Sequence, residues 1–280
     1  MRVFEFTRPN WGRAFTRISS AMHRYSPSEI QWVNSIDECD LAIIHEVGGS
    51  ETIPMNECLE KGKKLVPFQH TYYTSGFDHW EEYWKNSYLT LSFHDLTKYT
   101  DASFNFFRTP LGVDLDTFHL TNRFGIRNVK AFTTGHVAGT ECIDLVHQAC
   151  LRTGNTLVHT GENFKWPQAY TFMNYMDDPA LAILLNRTQY VTGLRDQEGF
   201  EMMALEGYFC GAIPIVPDLP TYDWYKDFAI MLNMDISVTD QLIDVFNRPD
   251  PRLDENLYKD VVDRFNWETV TNNIFRRILS

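Results

Sequence analysis

Strand-like apolar runs alternate with helical segments along the whole chain, and they form two series. The first series contains "MRVFEF", "IQWVNS", "DLAIIHEVG", "KKLVPFQHT" and "SYLTLSF", at residues 1–6, 30–35, 40–48, 63–71 and 87–93. The stretches after the first and third runs have the periodicity of crossover helices. Because strands that alternate with helices favour parallel pairing, the sequence predicts an α/β protein with a parallel sheet.

A second series follows a connecting segment. "TPLGVDLDTF", residues 109–118, carries proline and glycine without helical periodicity, which is typical of a connection between domains. Five further strand-like runs are predicted, at residues 129–135, 155–161, 188–193, 212–217 and 228–233, with helices over 141–152, 178–186 and 200–209. We predict two Rossmann-like domains, residues 1–110 and 111–266. Residues 267–280 form a terminal helix, for which packing on the first domain is one option.

Composition and charge exclude several classes of protein. The 280 residues carry a net charge of −12, which disfavours general attraction to nucleic acid or anionic lipid. The start, "MRVFEFTRPNWGRAF", has no apolar run long enough for a signal peptide or a membrane span. The five cysteines never form a C-x-x-C pair, so neither a disulfide framework nor a zinc site is indicated. We therefore expect a cytoplasmic globular protein without membrane insertion.

The stretch "DQEGFEMMALEGYFCGAIPIVP", residues 196–217, contains Glu198 and Glu206 at a spacing of eight. If a helix begins near Gly199, both carboxylates can face the carboxyl ends of the strands. The first turn of such a helix offers free backbone N–H groups to a phosphate, while the carboxylates accept hydrogen bonds from sugar hydroxyls. The pattern indicates a two-ended ligand such as a nucleotide sugar. Two solvated surface glutamates are the alternative interpretation.

This stretch resembles the E-x7-E segment of retaining GT-B glycosyltransferases of the family 4 type. "PLGVDLDTF" (110–118), "TTGHVAGTECIDLVHQA" (133–149) and "RFNWETVTNNI" (264–274) resemble the family's interdomain segment, its glycine loop with the following helix, and its terminal helix. The resemblance covers most of residues 110–280, and the N-terminal half matches in outline. It implies a GT-B fold, two Rossmann-like domains facing a central cleft. It also implies an enzyme that transfers a sugar from a nucleoside-diphosphate sugar to an acceptor hydroxyl with retention.

The resemblance also implies roles for the residues around the two glutamates. Glu206 would bind the ribose hydroxyls of the nucleotide, and Glu198 would hold hydroxyls of the donor sugar. The backbone amides of Gly199, Phe200 and Glu201 would lie near the sugar and the phosphates. Such enzymes position the reactants and stabilise the leaving group without a covalent nucleophile. They generally work without a metal or cofactor, so we expect no essential cation.

The chain departs from the family at the diphosphate loop. The family presents an arginine and a lysine there, whereas this chain has "GHVAGTE", with His136 after Gly135 and no lysine before Gly139. Either His136 and the helix N-terminus suffice, or Arg195 in "TGLRDQEGF" replaces the lost cations, or the site binds a donor without transfer. We favour Arg195, although a solvated arginine weakly paired with Asp196 is the competing interpretation.

The acceptor side is predicted from the N-terminal half. His70, in "VPFQHT", stands at a strand end where the family often has a histidine that faces the cleft. It would touch the donor sugar or the acceptor hydroxyl, and a structural histidine is the alternative. Aromatic side chains stack on sugar faces, so "HTYYTSGFDHWEEYW" (70–84) is our acceptor region unless it packs in the core. The specific acceptor candidates are Trp11, Arg13, Tyr72 and Tyr73.

Two other functions remain open at this level. "FQHTY" and "LEGYFCGAIPIV" are similar to segments of a compact phage-type DNA glycosyltransferase that acts on hydroxymethylated bases. Its DNA contacts would fall to Arg8, Arg13, Arg17 and Arg24, but the net charge disfavours DNA as a partner. A nucleotide-sugar-binding protein without activity is the other alternative, and the missing cations are its evidence.

Overall fold

The computed structural model describes residues 1–7, 12–46, 51–70, 78–98, 100–121, 127–174, 176–195, 199–249 and 252–280, with the backbone alone at 12, 13, 78 and 79. Contacts divide the chain into two compact units. One unit comprises Met1–Gly112 together with Phe265–Ser280, and the other comprises Val113–Arg264. Each unit contains one six-stranded sheet in which all the described pairings are parallel.

The sheet of the first unit has the strand order β2-β1-β3-β4-β5-β6. Its strands are β1 Arg2–Phe6, β2 Gln31–Val33, β3 Leu41–Glu46, β4 Lys64–Gln69, β5 Thr90–Ser92 and β6 Phe106–Arg108. The helices in the same part of the chain are α1 Gly12–Tyr25, α2 Thr52–Glu60 and α3 Asp78–Asn86. Every residue of β3 is buried, because a parallel strand in the middle of such a sheet is covered on both faces.

The sheet of the second unit has the order β12-β11-β10-β7-β8-β9. Its strands are β7 Val129–Gly135, β8 Leu157–Gly161, β9 Tyr170–Met173, β10 Thr188–Thr192, β11 Ile213–Pro217 and β12 Ile230–Leu232. The helices that follow in the chain are α4 Ile143–Arg152, α5 Asp178–Leu185, α6 Met202–Phe209, α7 Val238–Phe246, α8 Glu255–Phe265 and α9 Trp267–Leu279.

Local sequence explains where several of these helices begin. Asp177 caps α5 by accepting a hydrogen bond from the backbone N–H of Ala180 at 2.9 Å. Asn266 caps α9 in the same way, with the N–H of Thr269 as donor at 2.9 Å. These short polar side chains satisfy backbone donors that have no partner inside the helix, so each cap stabilises its helix by about 1 kcal/mol.

The parallel α/β architecture predicted from the alternating pattern is confirmed. Two strands were missed, β6 and β9, which are three and four residues long and lie at the edges of their sheets. Both are only partly buried, so they lack the continuous apolar run that marks an interior strand.

The predicted start of the helix near Gly199 is wrong. Helix α6 begins at Met202, because Glu201 has a non-helical backbone with φ −80° and ψ 82° and serves as the N-cap residue. Glu206 therefore lies about one turn into the helix, whereas a start at Gly199 would place it about two turns in. Glu198, its predicted partner, lies outside the described residues.

Helix α9 belongs to the first unit and packs against α1. Its first residue, Trp267, is only 4% exposed, and the backbone of Gly112 passes directly against it. A Cβ atom added to Gly112 would lie 2.7 Å from both Cα and Cδ2 of Trp267. Real Cβ contacts are much longer, so this glycine is required by the close approach of the backbone to the helix.

We predict that Gly112→Ala lowers the free energy of unfolding by about 1 to 3 kcal/mol, the usual effect of overpacking. Gly139→Ala is the matched control, because a Cβ atom there meets no atom within 4 Å. Its stability should be unchanged or slightly raised. Urea unfolding followed by circular dichroism measures both variants. Equal stabilities of the two variants would contradict the proposed contact.

Candidate functional site

In each sheet, the connections between strands reverse direction at one place. In the first sheet the chain leaves β1 toward β2 and then continues on the other side through β3 to β6. In the second sheet it leaves β7 toward β8 and β9, and then continues on the other side through β10 to β12. Parallel α/β sheets bind ligands beyond the carboxyl ends of the strands at such a reversal. The candidate positions are therefore the ends of β1 and β3 in one unit and of β7 and β10 in the other.

At the end of β7, a glycine loop surrounds a carboxylate. Gly135 has φ +145°, and a Cβ atom there would overlap the Glu141 side chain. Oε2 of Glu141 accepts hydrogen bonds from the backbone N–H groups of His136 at 2.7 Å and Val137 at 3.1 Å. Successive backbone N–H groups that point at one spot form an anion-binding concavity. In this structure the anion is the protein's own carboxylate.

Arg195, which follows β10, reaches the same carboxylate. Its Nε lies 3.1 Å from Oε1 of Glu141, and one terminal guanidinium nitrogen lies 3.8 Å from Oε2 of Glu201. The side chain of Arg195 is 30% exposed, whereas those of Glu141 and Glu201 are 16% and 6% exposed. Ion pairs that are this sheltered from water are screened less than surface pairs. The guanidinium thus bridges two carboxylates at the reversal point of the second sheet.

Neighbouring residues hold this arrangement in place. A Cβ atom at Gly193 would lie 2.7 Å from Cδ of Glu201, so the missing side chain makes room for the carboxylate. The hydroxyl of Tyr222 donates to the backbone carbonyl of Arg195 at 2.9 Å, and that of Tyr225 donates to the carbonyl of Glu201 at 2.6 Å. The predicted residue Phe200 is buried, with its ring 5.5 Å from that of Tyr225. Residues 199–201, directly before α6, are therefore fixed by buried contacts.

Glu206 lies on α6 and is 1% exposed. Helix α6 packs closely on β10, where a Cβ atom at Gly207 would overlap the side chain of Val191. Burial raises the pKa of the neighbouring Cys210 thiol to about 12, and the charge of Glu206 adds to this shift. A carboxylate in such an environment is far from a solvated surface charge.

The first unit contains a row of polar side chains at its own reversal point. Oε1 of Glu5, on β1, lies 2.8 Å from Nε2 of His45 on β3. Nδ1 of His45 lies 2.7 Å from Nε2 of His70, the residue that follows β4. The other oxygen of Glu5 accepts from the hydroxyl of Ser19 at 2.6 Å and lies 2.9 Å from Nε2 of His23. Of these residues, sequence reasoning identified only His70.

The row has a defined charge state. Burial by itself raises the pKa of Glu5, but the hydrogen bonds from His23, His45 and Ser19 outweigh it and hold that pKa well below its usual range. Burial lowers the pKa of His70 far below its usual value, and the neighbouring His45 lowers it further. Glu5 is therefore ionised and His70 is neutral at physiological pH.

Glu46 follows His45 on β3, and its charge state is the opposite of that of Glu5. Complete burial raises its pKa well above the usual value, which the hydrogen bond from Nε1 of Trp84 at 3.3 Å only partly offsets, and the charge of Glu51 adds to the rise. Three donors keep Glu5 charged, whereas the weaker single donor leaves Glu46 with a preference for its proton.

Most of the predicted acceptor residues fall in parts of the chain that the structure does not describe. Trp11, Tyr72 and Tyr73 lie outside the described residues, and Arg13 lies in α1 with only its backbone described. In the described part of the aromatic segment, Trp80 and Trp84 are fully buried and pack in the apolar core. Core packing therefore accounts for these two tryptophans.

Two further observations concern metal ligands and membrane spans. In the part of the chain that the structure describes, no three His, Cys, Asp or Glu side chains come together as metal ligands. None of the described helices is both long enough and apolar enough to cross a membrane.

Comparison with known proteins identifies the fold. No protein-family model matches the sequence. No curated protein matches it either. Sucrose-phosphate synthase from Thermosynechococcus elongatus superposes with a TM-score of 0.67 at 11% identity, over 86% of this chain and 74% of that one. The fold is GT-B.

Two further GT-B structures extend the comparison. The pneumococcal O-GlcNAc transferase GtfA, solved in complex with UDP and GlcNAc, has a TM-score of 0.65 at 14% identity, over 85% of this chain and 56% of that one. AviGT4, a glycosyltransferase involved in avilamycin A biosynthesis, has a TM-score of 0.63 at 9% identity, over 99% and 96% of the two chains. The predicted GT-B fold is confirmed, and at these identities the likeness concerns the fold alone.

The opposite states of Glu5 and Glu46 predict opposite effects of glutamine substitution. The raised pKa of Glu46 means that stability is lost as pH rises from about 4.3 through the folded-state value, so Glu46→Gln should stabilise the protein increasingly over that range. The lowered pKa of Glu5 contributes stability above about pH 4.3 that disappears as pH falls, so Glu5→Gln should destabilise the protein at neutral pH. Urea unfolding between about pH 4 and 8 measures both. A shift of the same sign at neutral pH would contradict the assignment.

Proposed function

We propose that this protein is a glycosyltransferase that moves a sugar from a nucleoside-diphosphate sugar to an acceptor hydroxyl with retention. The observation that carries the proposal is the anion site at the end of β7 and β10. There the amides of His136 and Val137 and the guanidinium of Arg195 surround a carboxylate. A diphosphate needs the same donors, and this position in a GT-B sheet is where a ligand is expected. GtfA, which shares the fold, was solved with UDP, a ligand of this kind.

In the proposed donor complex the diphosphate takes the place of Glu141 at the loop amides. Both groups are anions that accept the same hydrogen bonds, so they compete for one site. Arg195 then pairs with phosphate oxygens, where its positive charge stabilises the negative charge that develops on the leaving group. Glu206 binds the ribose hydroxyls, and Glu198 holds hydroxyls of the sugar, as the family resemblance implies.

The transfer step breaks the bond between the anomeric carbon and the diphosphate oxygen. The acceptor oxygen forms its bond to the same carbon on the same face, and the acceptor's proton leaves with the diphosphate. The protein contributes by aligning the two groups and by stabilising the charge that develops on the leaving oxygen. Neither a protein nucleophile nor a metal ion takes part in this proposal.

A second candidate, binding of the nucleotide sugar without transfer, is favoured by one observation. Arg195 is shared between Glu141 and Glu201, so part of its charge is already compensated by the protein. A compensated guanidinium stabilises a leaving diphosphate less than one that faces it alone. The two functions differ in what happens to the donor after binding.

A donor screen separates these functions. UDP- and GDP-sugars are incubated with the protein, released nucleotide is measured, and binding of UDP and GDP is measured by calorimetry. Release of nucleotide supports transfer, and binding without release over long incubation supports the inactive binder. Absence of both overturns both proposals. DNA with hydroxymethylated bases, added as an acceptor, tests the DNA glycosyltransferase alternative in the same assay.

We predict that Glu206→Ala weakens binding of the bare nucleoside diphosphate by about 10- to 100-fold, the effect of losing hydrogen bonds to a charged group. The ribose contacts exist in ground and transition states alike, so calorimetry with UDP and GDP detects the loss directly. Glu206→Gln preserves the shape of the buried side chain and controls for folding. Glu268→Ala, at an exposed glutamate of α9, controls for charge. Unchanged affinity in Glu206→Ala would refute the ribose assignment.

We predict that Arg195→Ala slows nucleotide release by about 100-fold or more, as expected for a group that stabilises the transition state. Arg195→Lys should fall between the wild type and the alanine variant, because lysine retains the charge but loses the planar fork. Arginine keeps its charge throughout the neutral range, so the rate should not fall steeply toward alkaline pH. Wild-type rates for Arg195→Ala, with a steep alkaline loss that His136→Ala abolishes, would assign the role to His136.

A further inference from the structure

The row Glu5–His45–His70, which we call the histidine relay, crosses three neighbouring strand ends of the first unit. Glu5 lies on β1, His45 on β3 and His70 directly after β4, and these strands are adjacent in the sheet. The two contacts along the row are 2.8 Å and 2.7 Å. His45 is 0% exposed and His70, the last member of the relay, is 6% exposed.

We propose that Glu5 and His45 are positioning residues that fix the tautomer of His70, so that Nδ1 of His70 presents a lone pair to a hydroxyl of the bound sugar substrate. This inference rests on the proposed function, because the hydroxyl belongs to the donor or acceptor of a glycosyl transfer. It assigns a direction to the hydrogen bond: the substrate donates and His70 accepts.

The direction follows from counting donors along the relay. An ionised carboxylate only accepts hydrogen bonds, so the nitrogen of His45 that faces Glu5 must carry a proton. A neutral imidazole has one N–H and one lone pair, so Nδ1 of His45 accepts, and Nε2 of His70 must donate to it. The remaining nitrogen of His70 is then an acceptor.

In this arrangement the completely buried ring of His45 is neutral, with one N–H and one lone pair. Glu5 is stabilised by Ser19 and His23 as well as by His45, so it does not require an imidazolium. Protonation of His45 would reverse the last bond and turn Nδ1 of His70 into a donor.

The orientation of His70 is fixed by aromatic rings as well as by the relay. The ring centroids of Phe15, Phe68 and Phe93 lie 4.9 Å, 4.3 Å and 5.0 Å from that of His70. Among the hydrogen bonds between described residues, none uses Nδ1 of His70. Buried polar networks are costly unless each member is satisfied, so a row whose last acceptor has no hydrogen-bond partner among the described residues suits a substrate hydroxyl.

Nitrogen-15 NMR of the folded chain tests the tautomer directly. Long-range proton–nitrogen correlations distinguish the Nε2–H from the Nδ1–H form, and the signals of His45 and His70 are assigned by their disappearance in single variants. We expect both rings in the Nε2–H form. An Nδ1–H signal for His70 would overturn the proposal. This measurement needs no substrate, so it decides the tautomer even if the proposed function fails.

Two substitutions of His45 form a matched pair. The side-chain oxygen of asparagine can replace Nδ1 as an acceptor for His70, whereas the amide of glutamine replaces Nε2 and bonds to Glu5. His45→Asn should therefore keep the tautomer of His70, and His45→Gln should release it into a mixture. If His45 were merely structural, His45→Asn would be the more harmful substitution, because glutamine keeps the bond to Glu5 and fills more of the buried space.

Kinetics with the sugar nucleotide that releases nucleotide fastest in a panel of UDP- and GDP-sugars complete the test. We expect His45→Gln to lower kcat by about tenfold, the effect of one hydrogen bond in the transition state, and His45→Asn to recover most of this loss. Urea unfolding of both variants shows whether the fold is retained. Equal kcat values in the two variants, or a greater loss in His45→Asn at equal stability, would overturn the relay. Absence of nucleotide release by the wild type would overturn the proposed function and leave the NMR result standing.

Discussion

Parallel strands place all their carboxyl ends at one edge of the sheet, and in this chain the connections leave that edge in opposite directions at one point in each sheet. Helices that leave on opposite sides cannot cover the gap between two such strands, so a crevice remains there. In the second unit this crevice brings Gly135, Glu141 and Arg195 together, although they come from different connections. The location of the candidate site is thus a consequence of strand order.

The glycine loop after β7 shows how a backbone selects a ligand by charge. Its two amides and the guanidinium of Arg195 converge on Glu141, whose carboxylate has the donors that a phosphate oxygen would need. A protein group that occupies its own anion site keeps those donors satisfied when no ligand is present. It also means that a diphosphate must displace a charged competitor, so the affinity measured for a ligand is the difference between two similar interactions.

The first unit illustrates how burial and hydrogen bonds together set the charge of a carboxyl group. Glu5 and Glu46 lie on neighbouring strands, and burial by itself would raise the pKa of both. Glu5 receives hydrogen bonds from three side chains and is ionised, whereas Glu46 has a single longer bond from Trp84 and a carboxylate neighbour. The number of donors around each oxygen, and not burial alone, therefore decides which glutamate can orient a histidine.

Much of the fold could be predicted from the sequence, because buried parallel strands read as apolar runs and their crossover helices as periodic segments. The resemblance to the GT-B family, and not these patterns, indicated Gly135, Arg195 and His70 as candidate site residues. The pairing of Arg195 with Glu141 and of Glu5 with His45 could not be predicted in this way. Glu5 and His45 are 40 positions apart, and only the alignment of β1 with β3 places them in contact. Local patterns therefore specify the elements and their class, whereas the packed chain sets the partners and hence the charge states, because a pKa depends on neighbours that local periodicity does not specify.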